Sequence, residues 1–226
     1  MSRSIHRIVQ NFCILGIVVC LASLISQAGC SKGFLEKRPS VEQQWMCDKE
    51  ADEAMKQHDY GVAILLHESF LREEPSNGLA LYHLGYSYGQ TGDHLKEVVY
   101  YEKAISLGFK DNSIFFNLGM AYGEMNQIES AIGAFNKALN SNPHSADNHF
   151  GLALAFQRSA ADTLAEKEFL RAISIDPEHV DARLYLSMLY VDRGELKKAN
   201  EQLRAILKID PNHRAAHEFL KRIEKE

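Results

Sequence analysis

Residues 112–145, NSIFFNLGMAYGEMNQIESAIGAFNKALNSNPHS, and residues 146–179, ADNHFGLALAFQRSAADTLAEKEFLRAISIDPEH, decide the fold when one is laid under the other. Each string is 34 residues long and they agree column by column. Leu118 and Leu152 stand seventh, Gly119 and Ala153 eighth, Tyr122 and Phe156 eleventh. Ala131 and Ala165 stand twentieth, Ala138 and Ala172 twenty-seventh, Pro143 and Pro177 thirty-second. Carried outward without a gap, the same frame gives blocks starting at Gln44, Gly78 and Val180. Leu84 and Leu186, Gly85 and Ser187, Tyr88 and Tyr190, Ala63 and Ala199, and Pro75 and Pro211 then fall into the matching columns.

The columns have a physical reading. Offsets of three and four residues return to one face of a helix, so places seven, eight and eleven form one stripe. A small residue at place eight, and alanine at place twenty, let a second helix approach. Large rings at places eleven and twenty-four fill the space that remains. Gly92 and Gly194 permit the turn between two helices, and the prolines separate units because proline starts a helix but does not continue one. One helix pair is too small to bury its own apolar face; stacked neighbours complete a continuous interior.

This pattern resembles the tetratricopeptide repeat, whose period is 34 residues, over about 170 of the 226 residues. The resemblance implies an all-α fold: a right-handed solenoid of about five helix-turn-helix repeats (44–77, 78–111, 112–145, 146–179 and 180–213) with a capping helix over 214–226. Ala216, Phe219, Leu220 and Ile223 form the apolar stripe of that last helix. The first block departs from the pattern, since Glu50, Ala54 and His67 replace the expected leucine and two rings, as terminal repeats commonly do. Two internal departures predict local effects. Glu97 occupies a small-residue place, so the second helix of that pair is expected to pack less closely, or to rotate and expose the carboxylate. Glu97→Ala should raise stability if the carboxylate is buried without a partner. Phe109 stands where proline is expected, so the junction that follows should differ.

Upstream of the repeats the chain changes character. Arg3 and Arg7 precede the apolar run Phe12–Ile25 and the small-residue exit Ala28-Gly29-Cys30. That is the layout of a secretory signal over 1–29, and the run is short for a spanning helix, which needs about 20 residues. The Ala28-Gly29-Cys30 ending resembles a bacterial lipobox, which implies lipid attachment at Cys30 after cleavage before it. A plain cleaved signal and a retained anchor are the other readings, and all three place the bulk of the chain outside the cytoplasm. Residues 30–43 then read as the lipidated cysteine and a tether, rich in Gly, Pro, Ser and charge. By analogy with enteric lipoproteins, Ser31 in place of Asp favours the outer membrane, facing the periplasm, over the inner membrane.

Composition excludes several classes. With 46% hydrophobic and 24% charged residues the chain is not wholly disordered. A net charge of −5 gives no bulk attraction to nucleic acid. Four cysteines, two of them in the signal, build no disulfide scaffold, and a lone Cys47 thiol reads as a small buried residue. There is no GxxxxGK[ST], GxSxG or HExxH. His213 and His217 have the spacing of two metal ligands but lack a third. The expectation is therefore no enzyme, no metal, no cofactor and no small-molecule substrate.

The family resemblance implies a concave face built from first helices, with places five and nine pointing into it. Place five holds Tyr82, Phe116, Phe150 and Leu184; place nine holds Tyr86, Met120, Leu154 and Met188. Together these make an apolar ladder able to receive an amphipathic helix or an extended apolar peptide. The same residues also suit packing between adjacent first helices, or a groove filled by the chain's own tether. The clamp by which some relatives hold C-terminal carboxylates is missing, with Asn117 alone matching. The expectation is a membrane-tethered scaffold for protein partners in assembly of a cell-envelope complex, similar to the pilotins of type IV pilus secretins; the alternative is a periplasmic chaperone or hydrolase adaptor.

Overall fold

The structure is a computed structural model that describes residues 47–111 and 113–223, all within the unit Val41–Glu226. The export signal, Cys30 and the tether lie outside the described residues.

Among the described residues the chain forms eleven α-helices and no strand. They run α1 (Lys49–Lys56), α2 (Tyr60–Glu73), α3 (Gly78–Gln90), α4 (His94–Ser106), α5 (Ile114–Glu124) and α6 (Ile128–Ser141). Then come α7 (Ala146–Arg158), α8 (Asp162–Ile175), α9 (Val180–Asp192), α10 (Leu196–Ile209) and α11 (Arg214–Ile223). Consecutive helices pack on one another throughout, and α5 also touches both α3 and α7. The result is five stacked hairpins followed by one closing helix.

Local chemistry sets the boundaries. Asp48, Asn77 and Ser145 accept hydrogen bonds from backbone N–H groups in the first turns of α1, α3 and α7, satisfying donors that no helix can satisfy internally. The histidines before α9 and α11 do the same: His179 Nδ1 accepts from the Ala182 N–H at 3.2 Å and His213 Nδ1 from the Ala216 N–H at 3.1 Å. The recurrence of His213 at the His179 place thus has a capping explanation. Within each hairpin the turn needs one left-handed residue. Gly92 (φ 83°) and Gly194 (φ 72°) supply it, as the sequence predicts, while His58, Asn126 and Ala160 adopt φ of 57–60° at the same place of the other hairpins. Asn tolerates this conformation; Ala160 holds it against a steric penalty.

The interior follows the columns. Ala63, Ala104, Ala138, Ala165, Ala172 and Ala199 are fully buried at helix crossings, with Tyr101, Phe169 and Leu203 filling the space between. Three of the place-eleven rings add a link between hairpins. Tyr88 Oη donates to Glu68 at 2.5 Å, Tyr122 Oη to Glu102 at 2.6 Å and Tyr190 Oη to Glu166 at 2.9 Å. Phe156 has no hydroxyl; at that junction the Phe135 ring instead lies against Gly119 and Gly151. The α11 stripe is seated as expected, with Ala216, Leu220 and Ile223 buried against the last hairpin.

One sequence expectation needs correction, and another is met. Glu97 is neither rotated outward nor a cause of looser packing: it is only 7% exposed. Its carboxylate lies over Gly89, where an added Cβ would fall 2.4 Å from Cδ, and it accepts a 2.8 Å hydrogen bond from His94 Nδ1. The missing side chain at position 89 makes the room that the alanine column would otherwise provide. Around Phe109, α4 ends one place earlier than the other second helices and α5 begins two places later than α3, α7 and α9. Phe109 stacks on Tyr82 with ring centroids 5.3 Å apart, filling the junction in place of a proline.

Candidate functional site

The eight ladder residues are all half-buried on first helices α3, α5, α7 and α9, and the structure divides them into two sets. Those at place five are engaged in packing. Tyr82 stacks on Phe109 and lies 5.6 Å from the Tyr101 ring. Its hydroxyl bonds Ser113 Oγ at 2.7 Å and accepts from Asn117 Nδ2 at 3.0 Å. Phe116 meets Phe135 edge-on at 5.8 Å; Phe150 contacts Phe169, Tyr185 and the His179 ring. Leu184 packs on the C-terminal core. Asn117 uses one of its two amide N–H donors on Tyr82.

At place nine Tyr86, Met120 and Leu154 pack on the same cores and also border cavities. Met120 and Leu154 line a cavity of about 260 Å³ with Tyr185, floored by Gly119, Gly151 and Phe135. Tyr86 and Met120 line a second, of about 240 Å³, with His94, Glu97 and Tyr101. Met120 and Glu124 border both. Met188 is half-buried and lines neither of these two cavities. The first cavity is floored by the Phe135 ring between two glycines: Gly119 belongs to the small place-eight column, whereas Gly151 stands at place six, where the other blocks carry Lys49, His83, Asn117 and Tyr185.

The rims carry polar groups. Arg158 donates to the Gly123 carbonyl and reaches Glu124 at 3.3 Å, closing one end of the larger cavity with an ion pair. In the second, burial raises the Glu97 carboxyl above the usual range, with the His94 hydrogen bond opposing. Burial also raises the Tyr101 hydroxyl, and the neighbouring Glu97 carboxylate adds to the rise. The sequence reading anticipated no polar cluster on this side of the chain, although His94, Glu97 and Tyr101 stand at offsets of three and four along α4 and so share one of its faces; the crossing with α3 sets Tyr86 and Gly89 against that face. His213 and His217 form no such cluster, since His213 caps α11 and His217 Nε2 pairs with the Pro211 carbonyl at 2.9 Å. No helix among the described residues is long and apolar enough to cross a membrane.

Stacked hairpins with an adaptable apolar lining and a few polar rim groups define a protein-interaction scaffold. Three family models, each described as tetratricopeptide repeat, match residues 79–108, 116–178 and 158–223, together more than half of the chain. The chain belongs to the tetratricopeptide-repeat family, whose members bind protein or peptide partners. No curated protein matched it.

Solved structures share the fold. The crystal structure of YrrB, "a TPR protein with an unusual peptide-binding site", is 22% identical with a TM-score of 0.63, covering 76% of this chain and 88% of YrrB. The crystal structure of MamA is 22% identical with a TM-score of 0.67, covering 74% and 97%. TTC0263, a thermophilic TPR protein of Thermus thermophilus, is 19% identical with a TM-score of 0.63, covering 78% and 96%.

Proposed function

We propose that the chain is an exported, lipid-anchored scaffold that holds an apolar segment of a protein partner along α3, α5 and α7 while an envelope complex is assembled. The observation that carries this reading is the pair of cavities joined at Met120, with Tyr86 and Leu154 facing them from the helices on either side. Methionine and aromatic linings adapt to varied side chains, and closely spaced pockets along a helical surface suit the alternating anchors of a bound peptide. The Ala28-Gly29-Cys30 ending supports attachment through Cys30, and Ser31 favours the outer membrane facing the periplasm. A pilotin-like role is the specific form of this reading. A periplasmic peptide-binding chaperone is the second, supported by the likeness to YrrB, which has an unusual peptide-binding site.

The test replaces residues that line the first cavity. Met120→Glu with Leu154→Glu should abolish capture of a defined complex after crosslinking in intact cells, with far-ultraviolet circular dichroism unchanged. Capture at the wild-type level would end the groove assignment; capture of many unrelated unfolded clients would favour the chaperone. Radiolabelled palmitate should enter the wild type and not Cys30→Ala.

A further inference from the structure

The first hairpin breaks the repeat pattern with chemistry rather than with smaller apolar residues. At the ring place of the second helix, where later hairpins carry Tyr101, Phe135, Phe169 and Leu203, it carries His67, fully buried. At place nine, where later first helices carry Tyr86, Met120, Leu154 and Met188, it carries Asp52. Cys47 enters from the segment before α1, and His83 from α3 of the next hairpin. One ligand atom from each of Cys47, Asp52, His67 and His83 falls within 4.8 Å of the other three.

We propose that these four side chains form a metal site that takes one Zn²⁺ ion. Zinc prefers tetrahedral sites of cysteine, histidine and carboxylate with bonds of about 2.0–2.3 Å, which puts neighbouring donors about 3.3–3.8 Å apart. Cys47 Sγ is already 3.4 Å from His67 Nδ1, and Asp52 Oδ1 is 2.8 Å from His83 Nδ1. Binding an ion between them requires the Asp52–His83 hydrogen bond to open and the farther donors, within 4.8 Å, to close in. One thiolate and one carboxylate balance the ion's two charges, so the complex is neutral, as a partly buried site requires. The oxygen-rich sets of Ca²⁺ and Mg²⁺ are absent from this cluster.

The surroundings favour a cation over a set of mutual hydrogen bonds. The His67 ring meets sulfur on both sides, Cys47 Sγ at Nδ1 and Met55 Sδ at Nε2, each at 3.4 Å. Sulfur is a weak hydrogen-bond partner, so a fully buried imidazole is poorly served there. Burial keeps His67 neutral, the form that binds metal, with its pKa lowered to about 4. The Cys47 thiol, pushed by burial and nearby carboxylates up to about 12, stays protonated without an ion; binding forms the S–Zn bond and releases that proton to solvent.

Four protein ligands leave no open position, so the site is structural. It ties the segment before α1 to α1, α2 and α3. A terminal repeat lacks a neighbour on its outer side, and the ion supplies a cross-link in its place.

The test uses the full-length chain, purified in detergent without a polyhistidine tag, reduced and stripped with chelator. Calorimetric titration with Zn²⁺ should give one tight equivalent and a higher melting temperature. Co²⁺ should give tetrahedral d–d bands and a thiolate charge-transfer band that Cys47→Ser abolishes. Asp52→Asn and His83→Gln, at partly exposed positions, should each weaken Zn²⁺ binding by at least about 10-fold while helicity is retained. Absence of a Zn²⁺ equivalent in the wild type would overturn the proposal. So would unchanged affinity and an unchanged Co²⁺ spectrum across these variants, which would place the ion on other histidines or cysteines.

Discussion

Replacing Gly151 by alanine should destabilise the protein even though alanine is the better helix former. Gly133 provides the reference: it lies exposed within α6, and a Cβ added there meets nothing within 4 Å. Gly133→Ala should therefore gain the full helix-propensity difference, about 1 kcal/mol. Gly151→Ala gains the same amount within α7, but its Cβ would sit 2.3 Å from Phe135 Cε1, 2.7 Å from Cζ and 2.8 Å from Cδ1. Carbon atoms rest at about 3.5–4.0 Å, so the ring would have to retreat by more than about 1 Å. Retreat toward α5 is limited, because the ring lies so close to Gly119 that a Cβ there would be 2.8–2.9 Å from it. Overpacking of this kind costs about 1–3 kcal/mol, more where neither side yields. The propensity gain cancels between the two alanine variants, so they should differ by the overpacking cost, about 1–3 kcal/mol, or about 2–12 °C in melting temperature for a protein of this size. Thermal and urea unfolding followed by circular dichroism would measure the gap. Phe135→Leu should lose stability in the wild type and much less in the Gly151→Ala background, giving a coupling of at least about 1 kcal/mol. If Gly151→Ala proves as stable as Gly133→Ala, the tight seating of Phe135 between α5 and α7 is wrong.

Other predictions follow from single observations. Ala160→Gly should raise stability by about 1 kcal/mol in thermal melts, because φ of 57° strains alanine and not glycine. Tyr88→Phe should cost about 1–2 kcal/mol by removing a hydrogen bond to the Glu68 carboxylate, whereas Phe156→Tyr should gain nothing comparable, as Asn136 replaces the glutamate at that junction. Glu97→Ala should lower stability by about 1 kcal/mol, since it strips His94 of its partner. Glu97→Gln keeps an acceptor for His94 and removes a buried charge. Because burial raises the Glu97 carboxyl in the folded state, ionisation opposes folding above that raised value and not below the ordinary 4.5. The advantage of Glu97→Gln should therefore be largest at neutral pH and vanish as pH falls toward 4.5; an advantage independent of pH would contradict this.

Read alone, the sequence determined everything that recurs. A column repeated every 34 residues is a statement about helix faces, and Leu118, Leu152 and Ala165 are buried because offsets of three and four cannot place them elsewhere. Gly92 and Gly194 announced the left-handed turn for the same reason. What the sequence left open are contacts between residues that share no column. The eight-residue ladder looked uniform, yet the neighbours across each crossing commit Tyr82, Phe116 and Phe150 to packing and leave Met120 and Leu154 lining a cavity. Glu97 read as a misfit until Gly89, eight positions earlier on the facing helix, proved to be the space it fills. Of Cys47, Asp52, His67 and His83, separated by up to 36 positions, only His67 stood out as a departure from a column. Periodicity tells which face a side chain takes; only the packing of one helix on the next decides what that face meets.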